Sequence, residues 1–123
     1  MKGAKVLILG WTFKEDVPDI RNTRVIDIHA ELQSYGVAVS CFDPEADPVE
    51  VKHEYGIEII QNATAGAPYA AVVLAVRHRS LLSEFTPEKL AALGGGKPPL
   101  IIDVKGFMNP GSARANGFSY WQL

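Results

Sequence analysis

Apolar residues fall in short bursts separated by polar turns, and the spacing inside the bursts alternates between two kinds. Residues 6–9 form a continuous aliphatic run stopped by Gly10, which predicts a buried strand over about 5–9. From Val25 the apolar positions return at helical spacing. Val25, Ile26, Ile28, His29, Leu32 and Tyr35 mark the expected buried face, with Asn22 or Thr23 as cap and Gly36 as the left-handed end. Residues 37–42 predict a second parallel strand covered on both faces and stopped by Asp43-Pro44. A weaker helix over 48–55, closed by Gly56, and a short third strand over 57–60 follow. Asn62 caps a short helix over 62–65, and residues 70–76, the most apolar run, predict a central strand. Short helices are expected near 81–85 and over 87–93, the second with Thr86 as cap and Pro87 in the first helical position. A flexible connection over 94–99, a buried strand over 100–104 and an edge strand over 117–120 complete the pattern. Strands alternating with helices imply one α/β domain over residues 1–123, with a doubly wound, mostly parallel sheet and helices on both faces.

The segment after the first strand departs from this economy. Connections from strand to helix ordinarily take about two to six residues, and residues 11–23 make one roughly twice as long. It carries Lys14, Glu15, Asp16, Pro18, Asp19 and Arg21. Its place, on the carboxyl edge of a first strand, is where open α/β sheets bind ligands. A dinucleotide fingerprint is absent, because Gly10 is followed by Trp11, Thr12, Phe13 and Lys14 with no second glycine to let a pyrophosphate approach the backbone.

Composition narrows the partners. An apolar share of 47% with 21% charged residues suits a globular protein. A net charge of -2 supplies no global field for a polyanion, so nucleic acid is not expected and any anion site must be local. The single cysteine, Cys41, excludes an internal disulfide and sits mid-strand, where it reads as core rather than nucleophile. No long apolar run suggests a membrane span, and a cytoplasmic location is expected.

Several residues could carry chemistry. Lys14 reads either as a surface cation paired with Glu15 or Asp16 or as an ammonium that meets a phosphate or sugar hydroxyl. Phe13 could stack on a base or belong to the core. Arg21, with Asp16 and Asp19 close by, reads as half of an ion pair that organises the loop. Lys105, after the last buried strand and before Gly106, reaches the rim of Lys14 if their strands flank the switch point of the sheet. Arg77-His78-Arg79 marks a third strand end, with ligand contact left open. Asp43 reads as an Asp-Pro turn, with ribose binding as the alternative. His29 and His53 read as half-buried or surface positions, and no metal set is visible.

Together, residues 6–23 with the motifs Gly-x-x-Phe-Lys and Asp-x-Arg-Asn-Thr, then 35–44, 75–79 and 101–106, resemble the C-terminal domain of the UDP-glucose/GDP-mannose dehydrogenase family, in particular its bacterial UDP-N-acetylhexosamine 6-dehydrogenases of the Vi-antigen type. The resemblance implies a Rossmann-like fold and a piece of a three-part enzyme. An N-terminal domain would bind NAD and a central region would form a homodimer, while this domain closes over the UDP-sugar. The C6 hydroxyl is oxidised twice, to a uronic acid, with a catalytic cysteine and lysine from the other parts, so this chain alone would be inactive and hold no catalytic residue. Phe13 and Lys14 match UDP-sugar contacts, Lys105 a basic position that is arginine in many relatives, and Arg21 a family arginine taken with Asp16 as loop-organising. The expectation is a pocket shared by Lys14 and Lys105 at neighbouring strand ends. The alternative is a stand-alone nucleotide-binding or regulatory module.

Overall fold

The computed structural model describes residues 4–12, 25–104 and 106–122. The first strand, β1 (Lys5–Leu9), has four of its five residues buried, as a run without polar alternation requires. It lies between β2 (Ala38–Phe42) and β3 (Ala71–Leu74), and beyond β3 follow β4 (Leu100–Asp103) and β5 (Tyr120–Gln122). Every one of these pairings is parallel, so the expected mostly parallel sheet is wholly parallel over its five strands. The most apolar run is indeed the central strand.

Helices connect the strands on opposite sides. Helix α1 (Val25–Ser34) joins β1 to β2, and α2 (Pro48–Tyr55) follows β2. Both pack on the face that holds Val6, Ile8, Cys41 and Val73. Helices α3 (Arg79–Glu84), α4 (Pro87–Ala92) and α5 (Pro110–Ala115) serve β3, β4 and β5, and their Leu81, Leu90 and Ala113 meet Leu7, Val72 and Ile101 on the other face. One handedness explains α1 against α4 and α5, whereas α2, on the return from β2 to β3, stays on the α1 face and the chain reaches the other face at Ala63. Chain leaving β1 moves one way across the sheet and chain leaving β3 moves the other, so the same right-handed crossover places their helices on opposite layers. The reversal falls between β1 and β3.

Local chemistry sets the helix ends. Asp47 caps α2 by accepting from Val49 N at 2.9 Å, Pro48 occupies the first turn, and Gly56 closes the helix at φ 70°. Asn62 accepts from Thr64 N at 3.0 Å at the start of the expected short helix, Ala63–Gly66. Helix α5 is not anticipated by apolar spacing, since six residues with one buried position, Ala113, carry almost no periodicity. Its signal is the cap: Asn109 accepts from Gly111 N and Ser112 N, and Pro110 follows it.

Other expectations shift. The strand over 57–60 is one parallel bridge, Cys41 to Ile59, because the Asn62-capped turn begins immediately after it. That near-absent neighbour leaves Ala38 exposed and Val39 and Ser40 half-buried, so β2 is not covered along its whole length. In β4 only Ile101 and Asp103 are fully buried. The edge strand starts at Tyr120, at the end of the expected segment rather than within it. Tyr35 points to solvent with 63% exposure, because α1 has ended and its ring turns to Glu31. His29 is buried beneath the Trp11 ring, whose centroid lies 6.2 Å away edge-on, and burial lowers its pKa.

Gly10 shows what the β1 end demands. Its φ is 104°, and a Cβ there would stand 2.6 Å from Val76 Cβ and 2.8 Å from Val76 N. Gly117 also has a positive φ, 83°, but nothing lies within 4 Å of its missing Cβ. Gly10→Ala should therefore lower stability by at least about 2 kcal/mol, and Gly117→Ala by about 1 kcal/mol, because only the first adds overlap to left-handed strain. Urea unfolding of the two variants checks this, and equal losses would remove the close approach as the reason for Gly10.

Candidate functional site

The carboxyl ends of β1, β2 and β3 meet at the point where the chain reverses direction across the sheet, and a buried polar cluster joins them. Asp43, the residue after β2, is 2% exposed. Its Oδ2 accepts from Trp11 N at 2.6 Å and Thr12 N at 3.1 Å, and its Oδ1 accepts from Glu45 N at 2.7 Å. From the β3 end comes His78, fully buried, with Nε2 3.0 Å from Asp43 Oδ2 and 2.9 Å from Thr12 Oγ1. Glu45 extends the cluster by accepting from Ser80 Oγ in α3 at 2.9 Å.

The charges explain the roles. Burial alone pushes Asp43 toward the neutral acid, but the His78 hydrogen bond, the Trp11 and Thr12 N–H groups and the His78 charge outweigh it and hold the carboxyl below its ordinary value. An ionised carboxylate only accepts, so Nε2 of His78 carries the hydrogen that faces it. Trp11 anchors the opposite side. Its side chain is fully buried, edge-on to His29 and to Tyr55, whose ring centroid lies 5.5 Å away. The first two residues after Gly10 are thus held from both helix layers.

A second aspartate does the same at the β4 end. Asp103 is fully buried, accepting from Phe107 N and Met108 N at 2.8 Å each, and from the Tyr120 hydroxyl at 2.7 Å. Burial together with that carboxylate pushes the Tyr120 phenol up to about 12. Lys105 stands in sequence between the aspartate and the two amides it grips.

The sequence-derived contacts Phe13, Lys14 and Lys105, and the loop residues Asp16 and Arg21, lie outside the described residues. Their strand ends are placed, and one expectation changes: β1 and β4 are not neighbours, because β3 lies between them. Two strand spacings, roughly 10 Å, separate the two ends. Arg77 and Arg79 are exposed at the intervening end, while His78 is turned wholly inward and serves the cluster. Asp43 is neither a plain Asp-Pro turn nor open to a ribose. Sequence reading missed its role because three of its four partners are 31 to 35 residues away; the only local signal was an acid ending an apolar strand.

The same site does not suit a dinucleotide. Val76 occupies the space at Gly10, and the Trp11 backbone N–H already serves Asp43. Cys41 is buried and burial pushes its thiol up to about 12, which makes it an inert core residue. Among the described residues no cluster of His, Cys, Asp and Glu could hold a metal ion, and no helix is long and apolar enough to cross a membrane.

Comparison with known proteins agrees with the geometry. Residues 7–110 match the model of the UDP-glucose/GDP-mannose dehydrogenase family, UDP binding domain. A UDP-N-acetyl-D-glucosamine 6-dehydrogenase of Salmonella typhi is 49% identical over 105 residues, which is 85% of this chain and 24% of that protein. The enzyme of the same name from Pseudomonas aeruginosa is 44% identical over 103 residues, 84% of this chain and 24% of that protein. The crystal structure of an NDP-N-acetyl-D-galactosaminuronic acid dehydrogenase from Methanosarcina mazei Go1 superposes with a TM-score of 0.86 at 26% identity, over 99% of this chain and 25% of that one. The chain thus spans about a quarter of the length of these relatives.

The Asp43 cluster predicts a pH dependence. Because its folded pKa lies below the ordinary 3.8, its contribution to stability is complete above about pH 4 and is lost as pH falls through the depressed value. Asp43→Asn should cost about 2–4 kcal/mol at neutral pH, since the amide cannot accept from every group around it, and should flatten the loss of stability below about pH 4. Urea midpoints measured from pH 7 to pH 3 would show it; an unchanged acid slope would mean that Asp43 is not the group responsible.

Proposed function

This chain belongs to the UDP-glucose/GDP-mannose dehydrogenase family as its UDP-binding domain, and from that premise we propose that it holds the UDP-sugar in an NAD-dependent nucleotide-sugar 6-dehydrogenase. The substrate class is a UDP-N-acetylhexosamine, oxidised at C6 to a uronic acid for a surface polysaccharide. The observation that carries this reading is the family match over residues 7–110. The parallel sheet supports it, since its direction reverses beside the long loop where ligands of such sheets bind.

In this reading Lys14 and Lys105 neutralise the diphosphate, Phe13 packs on the nucleotide sugar, and Asp16 with Arg21 organises the loop between them. An ammonium on a flexible stem suits a phosphate whose position is set by other contacts. Closing over the substrate excludes water, which keeps the aldehyde and thioester stages from escaping. The β1 end does not fit NAD, so the cofactor is assigned to an N-terminal domain and no step on it to these residues. The catalytic cysteine and lysine belong to other parts of the enzyme, which leaves this chain inactive alone. A cytoplasmic homodimer joined through a central region completes the proposal, with those regions and the UDP-sugar as partners.

Lys14→Ala in the intact enzyme should raise KM for the UDP-sugar several-fold, to about tenfold, with kcat nearly unchanged, as expected when a charged contact worth roughly 1.5 kcal/mol is lost from substrate and transition state alike. An unchanged KM removes Lys14 from the site. Calorimetric titration of this chain with UDP and with NAD tests the larger assignment: saturable NAD binding without UDP binding overturns it.

A further inference from the structure

We propose that Thr12, Asp43 and His78 are positioning residues for the nucleotide sugar: their buried network sets the backbone from which residues 13 and 14 leave β1. This rests on the proposed function, in which Lys14 meets the diphosphate. The three side chains come from three different strand ends and are 1%, 2% and 0% exposed. Loop backbone on a protein rim ordinarily satisfies its N–H groups with water. Here Trp11 N and Thr12 N both turn inward onto one carboxylate oxygen, at 2.6 and 3.1 Å, and the Thr12 hydroxyl meets His78 Nε2 at 2.9 Å.

Such an arrangement has a cost that packing alone does not demand. Trp11 already anchors the segment to the core through its ring, so a second, polar anchor immediately before the ligand loop fixes direction rather than adding apolar burial. Fixing the Thr12 backbone lowers the freedom to be lost when a diphosphate arrives at the residues that follow it, and affinity rises through preorganisation. The β4 end repeats the device independently: Asp103 grips Phe107 N and Met108 N just past Lys105. Each proposed lysine therefore adjoins backbone that a buried strand-end aspartate holds.

The test uses the intact enzyme and steady-state kinetics with the UDP-sugar. Thr12→Val keeps shape but loses the hydroxyl, and should raise KM about three- to tenfold with kcat within about twofold, the range of one lost hydrogen bond transmitted to a neighbouring contact. Thr12→Ser, which retains the hydroxyl, should behave as the parent. In a Lys14→Ala background Thr12→Val should add less than about twofold, because residues acting through one contact are not additive. If Thr12→Val does not accumulate folded, Thr12→Ala carries the same expectations without added bulk. Lowered unfolding temperature with unchanged KM, or effects that multiply fully in the double variant, overturns the positioning role alone. If Lys14→Ala itself leaves KM unchanged, the ligand assignment falls and this inference with it.

Discussion

One buried carboxylate has to be satisfied, and much of the edge of the sheet is arranged so that it is. Asp43 stands at the end of β2 in a place with almost no water, where an ionised group is tolerated only with a full set of donors. It finds them in Trp11 and Thr12 after β1, Glu45 before α2 and His78 before α3. The three strand ends are consequently tied to one another by polar contacts as well as by the parallel ladder. Deep in the sheet the strands are held by apolar side chains on both faces, which fix spacing but do little to fix direction at the edge. The carboxylate supplies that direction.

The steric constraint at Gly10 works with it. The backbone after β1 passes against Val76, so close that a side chain has no room, and this contact delivers Trp11 and Thr12 to Asp43. In a dinucleotide fold the first glycine makes the tight turn and a second lets backbone approach a pyrophosphate. Here the close neighbour is another strand end. A shared architecture thus puts similar local sequence, a strand followed by glycine, to a different use.

The chain spans about a quarter of the length of the dehydrogenases it matches, and its described polar cluster lies at the carboxyl ends of β1, β2 and β3. In the proposed function this edge contributes charge and orientation to the UDP-sugar. Preorganised strand ends suit that task, because their backbone is already set before a ligand arrives.

Patterning in the chain determined most of the element sequence, α5 and the 57–60 segment excepted, the parallel order expected of alternating strands and helices, the caps at Asn62 and Thr86, and the central place of the 70–76 run. Those features are local: side-chain spacing and short-range hydrogen bonds act within a few residues and leave a trace in the sequence. The family resemblance added an expected ligand class and the proposed contacts Phe13, Lys14 and Lys105. What only the tertiary structure decided was which polar residue serves which strand end. His78 reads in sequence as one of three rim residues and is wholly buried; Asp43 reads as a turn and holds four donors; β3 stands between the ends that Lys14 and Lys105 follow. Each of these depends on contacts between residues more than 30 positions apart, and on a crossover order that brings β3 between β1 and β4, so no window of the sequence contains them.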